Sequence, residues 1–371
     1  VTWRAYPGET VTITGSAGAS LSAFEPVSGE MKEKLSPDAQ EHVMVADARD
    51  LGLGEISFSL SALNLCLEAP LFSLDGQHMR LTRYPNSNST EDWMHVETVD
   101  PTQTSGTYPK IKLTDETVLG WDHNAADRIY FGYFSYGWAL HGFHGTLDPE
   151  TGIVTATDTA YYGSAAGQKP VQIYNAYESL DEPGEWYYDQ MSGRLYIYPF
   201  ADTTRNSTLR MTSSNFDLIS VNGASYLNLE GLTVTSSKKD GIVMNNVDHC
   251  VIENCTLTSF EGRAVSIDNA TYSGLKNSEV AYTSISAIYL NGGDYQTMEP
   301  GYDFITNCRI HDTNQYRTMN EGGVKFRGVK NTFSNNEVYN ITDMALNFAI
   351  VGGGPTSLDC VIENNSFHDV V

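Results

Sequence analysis

The sequence has little positive charge. Its 371 residues include 22 Lys and Arg against 46 Asp and Glu, which gives a formal net charge of -24. A chain this acidic repels phosphate backbones and anionic lipid, so we expect no nucleic-acid partner. A neutral substrate would bind without this repulsion and is therefore the expected kind. No apolar run approaches the ~20 residues that a spanning helix needs, so membrane insertion is not expected either.

Cysteine is scarce as well. Five cysteines cannot all pair with one another, and Cys255 and Cys308 occupy equivalent positions two repeats apart, about 9 to 10 Å at strand spacing. That distance is too long for a disulfide, so we expect both to be small apolar residues of the interior. The sequence has no closely spaced Cys pairs and no His pair on one helical face, so it predicts no metal and no other cofactor.

What the sequence does contain is a repeat. Between residues 227 and 371 a pattern of two strands and a turn, usually with Asn, returns five or six times. The turns are Leu229-Glu-Gly-Leu232, Ile252-Glu-Asn-Cys255, Leu275-Lys-Asn-Ser278, Ile305-Thr-Asn-Cys308, Phe333-Ser-Asn-Asn336 and Ile362-Glu-Asn-Asn365. A fixed period of roughly 20 to 50 residues is typical of stacked repeats, so this region is predicted to be a solenoid of strands.

The chain is predicted to have three parts. Residues 1–20 read as a first coil of the solenoid, residues 21–212 as an inserted antiparallel β-sandwich-like domain, and residues 213–371 as the main solenoid. The insertion is indicated by loss of the repeat and by hairpin turns at Asp75-Gly76 and near Ser192-Gly193. Because each end interrupts a coil, we expect further parts of the same chain on both sides.

Three coils carry extra residues, in the segments 292–303, 311–322 and 351–359. All three expansions fall at the ends of one strand stack. We therefore expect them to stand as walls around a cleft, since loops on a rigid scaffold commonly carry function.

Strand alternation predicts which side chains face that cleft. The inward set is Met244, Ile267, Leu290, Phe326 and Phe348, and the outward set is Asn245, Ser266, Asp268, Tyr289, Asn291, Lys325, Arg327 and Asn347. Asp294 and His311 lie on the inserted segments. Tyr and Asn beside carboxylates suit a sugar, which offers hydroxyls to hydrogen-bond and an apolar face to stack. The predicted partner is a polysaccharide or oligosaccharide, although exposed strand faces are polar in any case.

Glu321 and Asp343 are the predicted catalytic pair. Each lies four residues before an outward strand residue on adjacent coils, which are about 4.8 Å apart. A nucleophile and an acid/base in retaining glycoside hydrolysis need about 5 to 5.5 Å between their carboxyl groups. Repulsion at that distance raises one pKa, so that a protonated acid stands beside an ionised partner. Carboxylates next to Gly are also common in turns that have no catalytic role.

Two other functions are open at this point. Lys325 and Arg327 suggest a polysaccharide lyase, in which Lys abstracts a proton next to a substrate carboxylate, although basic strand residues are often ion-pair partners instead. A carbohydrate-binding or adhesin solenoid with no catalytic activity would present the same Tyr and Asn residues. The fold alone does not choose among the three.

The sequence also resembles a known group. The residues concerned are Trp3 to Glu9, Leu74 to Met79, Thr82 to Asn86, Tyr133 to Trp138, Glu178 to Tyr187, Asn291 to Asp294 and the Asn ladder from Asn254 to Asn364. Together they resemble the right-handed parallel β-helix glycoside hydrolases with an inserted β-sandwich, in the xylosidase and fucosidase/xylanase branches. The resemblance implies a secreted or cell-surface enzyme that degrades polysaccharide with acidic residues from neighbouring coils. It also implies a further coil beyond Phe367.

Overall fold

The structure is a computed structural model that describes residues 1–61, 66–86, 93–102, 104–121, 127–135, 140–160, 162–316, 321–348 and 357–370. The chain divides into two compact units. One consists of Val1–Ser16 and Met211–Val371, and the other of Ala17–Arg210. The boundaries predicted from the sequence fall at residues 20 and 212.

The first unit is a coil of three parallel sheets, which we call the front, ladder and back sheets. The front sheet contains Ile219–Asn222, Ile242–Asp248, Val265–Thr271, Ile288–Asp294, Val324–Val329 and Leu346–Asn347, with Glu299–Pro300 and Ser357–Leu358 at its margin. The ladder sheet contains Thr2–Arg4, Asn228–Glu230, Val251–Glu253, Gly274–Lys276, Phe304–Thr306, Thr332–Ser334 and Val361–Glu363. The back sheet contains Val11–Thr14, Leu232–Ser237, Thr256–Phe260, Glu279–Thr283, Arg309–Thr313, Glu337–Ile341 and Ser366–Val370. The predicted solenoid is therefore confirmed.

The turn between the ladder and back sheets holds the repeated Asn. Asn254, Asn277, Asn307, Asn335 and Asn364 all have φ between 51° and 56°, a left-handed conformation that Asn tolerates better than most residues. Backbone N–H groups at this position donate to the next coil, as from Asn277 to Thr306 O at 3.1 Å. The Asn307 side chain donates to Asn277 Oδ1 at 2.6 Å. These bonds fix the register from coil to coil.

The interior of the solenoid is apolar, as predicted. Met244, Ile267, Leu290 and Phe326 are fully buried in one column of the front sheet. Cys255 and Cys308 are buried too, and all five cysteines of the chain are free thiols. The wound sheet thus has a continuous core that needs no disulfide.

Two side chains near the last coil were assigned wrongly. Phe348, predicted to face inward, is 51% exposed, because the strand ends at Asn347 and the alternation does not continue beyond it. Asn347, predicted to face a ligand, is only 8% exposed. The turn at Gly322 lies over it, so closely that a Cβ on this glycine would be 2.8 Å from the Asn347 Cβ.

The second unit contains two antiparallel-rich sheets. In one of them the strands pair in the order Arg83–Tyr84, Gln168–Tyr174, Met94–Val99, Lys110–Lys112, Ile153–Ala156, His141–Asp148 and Ile129–Gly132. Because Ile129–Gly132 also pairs with Gln168–Tyr174, the sheet closes into a barrel. The predicted insertion is therefore a separate β-rich region that contains a barrel and an open sheet.

The open sheet contains the two hairpins predicted at Asp75-Gly76 and Ser192-Gly193. Its strands are Ser16–Ser20, Thr208–Thr212, Phe72–Leu74, Gln77–Leu81, Glu185–Asp189, Arg194–Tyr198, Met44–Asp47 and Glu25–Pro26, and a separate pair is formed by Ser59–Leu60 and Leu67–Glu68. The helices are Glu30–Glu33, Ala39–His42 and Glu116–Leu119, with 3-10 turns at Leu21–Ala23, Ala48–Asp50 and Tyr177–Ser179. Within the described ranges, none of the helices has the length and apolar character to cross a membrane.

We predict that Phe326→Ala destabilises the protein by about 3 to 5 kcal/mol, since it removes a buried ring and leaves a cavity. The matched control is Phe348→Ala, at an exposed position on the next coil, which should change stability by less than about 0.5 kcal/mol. Urea denaturation followed by circular dichroism measures both. Equal losses at the two positions would contradict the assignment of Phe326 to the core and Phe348 to the surface.

Candidate functional site

Strand pairing places Glu321 and Asp343 on adjacent coils. Val324 pairs with Leu346, so the residues three positions earlier, Glu321 and Asp343, are at equivalent points of successive turns. The backbone N–H of Glu321 donates to Asp343 Oδ2 at 3.1 Å. The two residues are thus in direct contact at the entrance to the front sheet.

Glu321 is surrounded by groups that favour its ionised form. The residue is only 3% exposed, and its Oε2 accepts a hydrogen bond from the Ser286 hydroxyl at 2.5 Å. The Lys325 ammonium lies 2.7 Å from the same oxygen. A buried carboxylate held by a cation and a hydroxyl is stabilised as an anion, because both partners supply positive charge or a donor proton.

Asp343 has the opposite tendency. Burial raises its pKa, and the negative charge of Glu321 adds to the effect, while hydrogen bonds from the backbone N–H groups of Glu321 and Gly322 oppose it. The net shift is upward. One carboxyl group of the pair therefore favours the anion and the other favours its proton, which is the separation of roles that acid–base chemistry requires.

The outward face of the front sheet carries the predicted polar residues. Asp268 and Asn291 are on adjacent strands, and Asn291 Nδ2 donates to Asp268 Oδ1 at 2.8 Å. Tyr289 is partly buried, in the same column as Lys325. Burial raises the pKa of its phenol, with a further contribution from the charge of Asp268. The face therefore presents an aromatic ring beside an amide and a carboxylate.

Two arginines pack against Tyr289. The guanidinium carbons of Arg263 and Arg327 lie 5.6 and 5.7 Å from the ring centroid. Arg327 was predicted from strand alternation, whereas Arg263 was missed because it precedes its strand. It is in register with Ser286 of the next coil, and alternation continued back from the buried Val265 would point it inward, so the strand pattern carries no signal for it.

The residues predicted on the inserted segments do not join this group. Asp294 is exposed in a turn, where hydrogen bonds from the backbone N–H groups of Gln296 and Thr297 lower its pKa. His311 belongs to the back sheet and is 8% exposed. Its ring stacks on Tyr339 at 4.7 Å and bonds to Asp312 at 2.6 Å. A turn role for Asp294 and a structural role for His311 account for these contacts.

Of the three inserted segments, only 292–303 lies wholly within the described residues. It extends the front-sheet strand into a hairpin, in which Gly293 pairs with Pro300 and Asp294 with Glu299. The segments 311–322 and 351–359 include residues outside the described part of the chain, so the cleft that they were expected to enclose stays a prediction. Among the described residues, no group of three or more His, Cys, Asp or Glu side chains is placed to hold a metal ion.

Asp303, at the base of the 292–303 hairpin, is a fully buried carboxyl group. Its Oδ1 accepts from the Ser273 backbone N–H at 2.8 Å, and its Oδ2 has no hydrogen-bond partner in the described structure. Burial raises its pKa to about 7. Burial disfavours the charged form of a carboxyl group. The carboxyl group at the base of the hairpin therefore binds its proton more tightly than an exposed one does.

Comparison with known proteins agrees with the wound fold. Residues 217–368 match the family model for a right-handed β-helix region, which confirms the predicted resemblance to right-handed β-helix proteins. No protein with curated information matches the sequence significantly.

Several solved structures match this chain in a structural comparison, all at low sequence identity. One titled "Glycoside hydrolase" is 11% identical, with a TM-score of 0.47 over 97% of this chain and 83% of that chain. XylC in complex with xylose is 13% identical, with a TM-score of 0.34 over 91% and 56%. The Gp54 tailspike of Acinetobacter baumannii bacteriophage AP22, in complex with a capsular saccharide of A. baumannii, is 9% identical, with a TM-score of 0.18 over 75% and 57%.

We predict that Lys325→Met destabilises the protein by about 3 kcal/mol, because it removes a cation next to a buried carboxylate. Lys330→Met is the matched control. Its ion pair with Asp359, at 3.5 Å, is between side chains that are 44% and 70% exposed, and its loss should cost about 0 to 1 kcal/mol. Thermal and urea denaturation compare the two, and similar losses would contradict a buried ion pair at Glu321.

Asp303 should make stability depend on pH. Its pKa of about 7 in the fold exceeds the unfolded value of about 3.9, so the folded state holds the proton more tightly between these values. The contribution of Asp303 to stability should therefore be greatest below about pH 4 and fall towards pH 7, by up to roughly 4 kcal/mol. In Asp303→Asn this decline should disappear.

Asp294→Asn is the control for that experiment. The pKa of Asp294 is lowered, not raised, so the substitution should leave the decline in place. Denaturation midpoints at a series of pH values distinguish the two variants. A decline that persists unchanged in Asp303→Asn would contradict the prediction.

Proposed function

We propose that this right-handed β-helix protein is a glycoside hydrolase, with Glu321 and Asp343 as its catalytic residues. The observation that carries the proposal is the pair itself. Lys325 and Ser286 hold the Glu321 carboxylate, while the backbone N–H of Glu321 donates to Asp343, a second carboxyl group whose pKa is raised. Hydrolysis of a glycosidic bond needs these two states side by side.

In the proposed reaction Asp343 is the general acid. It donates its proton to the glycosidic oxygen as the bond to the anomeric carbon breaks, so the leaving sugar departs as a neutral alcohol. Positive charge develops on the anomeric carbon and ring oxygen, and the Glu321 carboxylate stabilises it electrostatically. Water then adds to the anomeric carbon and loses a proton, which restores the protonated Asp343.

The outward residues of the front sheet are proposed to bind the substrate. Tyr289 offers a hydroxyl, and Asp268 and Asn291, which bond to each other at 2.8 Å, offer further polar atoms for sugar hydroxyls. These residues lie on the two front-sheet strands that precede Val324–Val329, the strand that follows Glu321. An extended oligosaccharide or polysaccharide suits such an arrangement. Because polymers do not cross membranes, we place the enzyme outside the cell or on its surface.

The same side chains give less support to a lyase, which cleaves the polysaccharide by elimination. A lyase would need Lys325 as a base, yet the Lys325 ammonium is engaged by the Glu321 carboxylate at 2.7 Å. A binding protein with no catalytic activity would need neither the buried ion pair nor the raised pKa of Asp343. We therefore propose hydrolysis.

The test is a screen of oligosaccharides, followed by release of reducing sugar, with the whole chain and with two variants, because an alcohol leaving group needs the proton of the general acid. Asp343→Asn should lower kcat by about 100- to 10,000-fold, because the general acid is lost. Glu321→Gln should have an effect of similar size, since the charge that stabilises the transition state is removed. With Asp343 as the acid, kcat should fall as the pH rises through its raised pKa.

Asp294→Asn is the matched control, an exposed carboxyl group in a turn on the same sheet. It should retain full activity. Circular dichroism checks that the Glu321 and Asp343 variants are folded. Unchanged activity in folded Asp343→Asn, or a product that absorbs in the ultraviolet as an unsaturated sugar does, would reject the proposed mechanism.

A further inference from the structure

Arg263 and Arg327 have no ion-pair partner among the described residues. This is unexpected in a chain in which 46 acidic residues face 22 basic ones, since carboxylates are abundant. The Nε atoms of both arginines are buried, again with no hydrogen-bond partner in the described structure. Buried donors are nearly always satisfied in native proteins, so an unsatisfied pair calls for an explanation.

Both guanidinium groups are brought to the same place by Tyr289. Arg263 comes from the coil before this residue and Arg327 from the coil after it, and each guanidinium carbon is within 5.7 Å of the ring centroid. Packing against an aromatic ring holds an arginine in position without neutralising its charge. The two positive charges are thus concentrated at one point of the outward face.

The nearest carboxylates are occupied by other donors. Asp268 Oδ1 accepts from Asn291 Nδ2 at 2.8 Å and from the Asn269 backbone N–H at 3.0 Å. Asp240 Oδ1 accepts from the backbone N–H of Arg263, not from its guanidinium group, at 2.8 Å. Glu321 is paired with Lys325 at 2.7 Å. The local acidic residues therefore leave both guanidinium groups available to a ligand.

We infer that Arg263 and Arg327, held against Tyr289, form a subsite for an acidic sugar, one that carries a carboxylate or a sulfate group. A guanidinium group matches either anion with two parallel hydrogen bonds, and packing against the ring holds both guanidinium groups in place for this contact. The inference rests on the proposed function for the claim that the ligand is a saccharide. It replaces the neutral substrate that the net charge suggested, because contacts at a few ångströms outweigh the screened field of distant charges.

The test measures binding by titration in NMR, with monosaccharide pairs that differ in charge alone. Glucuronate, galacturonate and mannuronate are compared with glucose, galactose and mannose, and galactose 6-sulfate with galactose. For at least one pair the acidic sugar should bind at least tenfold more tightly. Arg263→Gln and Arg327→Gln should each remove most of that preference. Arg263→Lys and Arg327→Lys should keep part of it, since lysine retains the positive charge but cannot form the two parallel hydrogen bonds of a guanidinium group.

Arg309→Gln is the matched control. Arg309 is an arginine of the back sheet whose side chain is 57% exposed and already paired with Glu279 and Glu337, so its loss should leave binding unchanged. Preference for a uronate or for the sulfate identifies which anion the subsite takes. Equal binding of acidic and neutral sugars, no binding of any acidic sugar, or full preference in folded Gln variants would overturn the inference.

These outcomes are separate from those that test hydrolysis. A wild-type protein that prefers acidic sugars but cleaves no glycoside would remove the proposed enzyme and leave the subsite. A protein that cleaves neutral glycosides and shows no preference for acidic sugars would remove the subsite and leave the proposed enzyme.

Discussion

The structure depends on the exact vertical alignment of one coil on the next. In the turns from Gly231 to Asn335, between the ladder and back sheets, a residue in the left-handed region donates its backbone N–H to a carbonyl of the following coil. The residue after the left-handed one is also hydrogen-bonded to the following coil, here through an Asn side chain. Cys308 N–H donates to Asn336 Oδ1 at 2.9 Å, and Asn336 N–H donates to Asn365 Oδ1 at 2.8 Å. A slip of one residue would turn every core side chain outward, so these bonds fix what is buried and what is not.

The same alignment explains why the candidate site is electrostatically strained. Stacking places equivalent residues of adjacent coils about 4.8 Å apart, whatever their charge. Glu321 and Asp343 are brought together in this way, and the contact is tolerated because Lys325 and Ser286 hold one group while the pKa of the other rises. Asp303 is a second example, a fully buried carboxyl group that accepts a hydrogen bond from the Ser273 N–H of the preceding coil. In both places the scaffold determines the protonation state.

Positive charge is distributed differently from negative charge in this chain. Most of the basic side chains with a described partner lie in exposed or partly exposed ion pairs, such as those of Lys276 and Arg309. Arg128 is buried with Glu178 in the inserted unit. Arg263 and Arg327 differ from all of these, since they pack against an aromatic ring and have no ion-pair partner among the described residues. A surface that is acidic overall can therefore still offer a local site for an anion.

The sequence by itself determined the repeat, the Asn turns, most of the inward column and the adjacency of Glu321 and Asp343, because in a solenoid these features follow from counting residues along one coil. The roles of the two carboxyl groups remain proposals. Only the tertiary structure decided that Asn347 is covered by Gly322 and that Phe348 is exposed. It also decided that His311 lies on another sheet, that strands 129–132 and 168–174 close a barrel, and that Arg263 reaches Tyr289. These outcomes depend on turns and on contacts between distant segments, which a local periodicity does not encode.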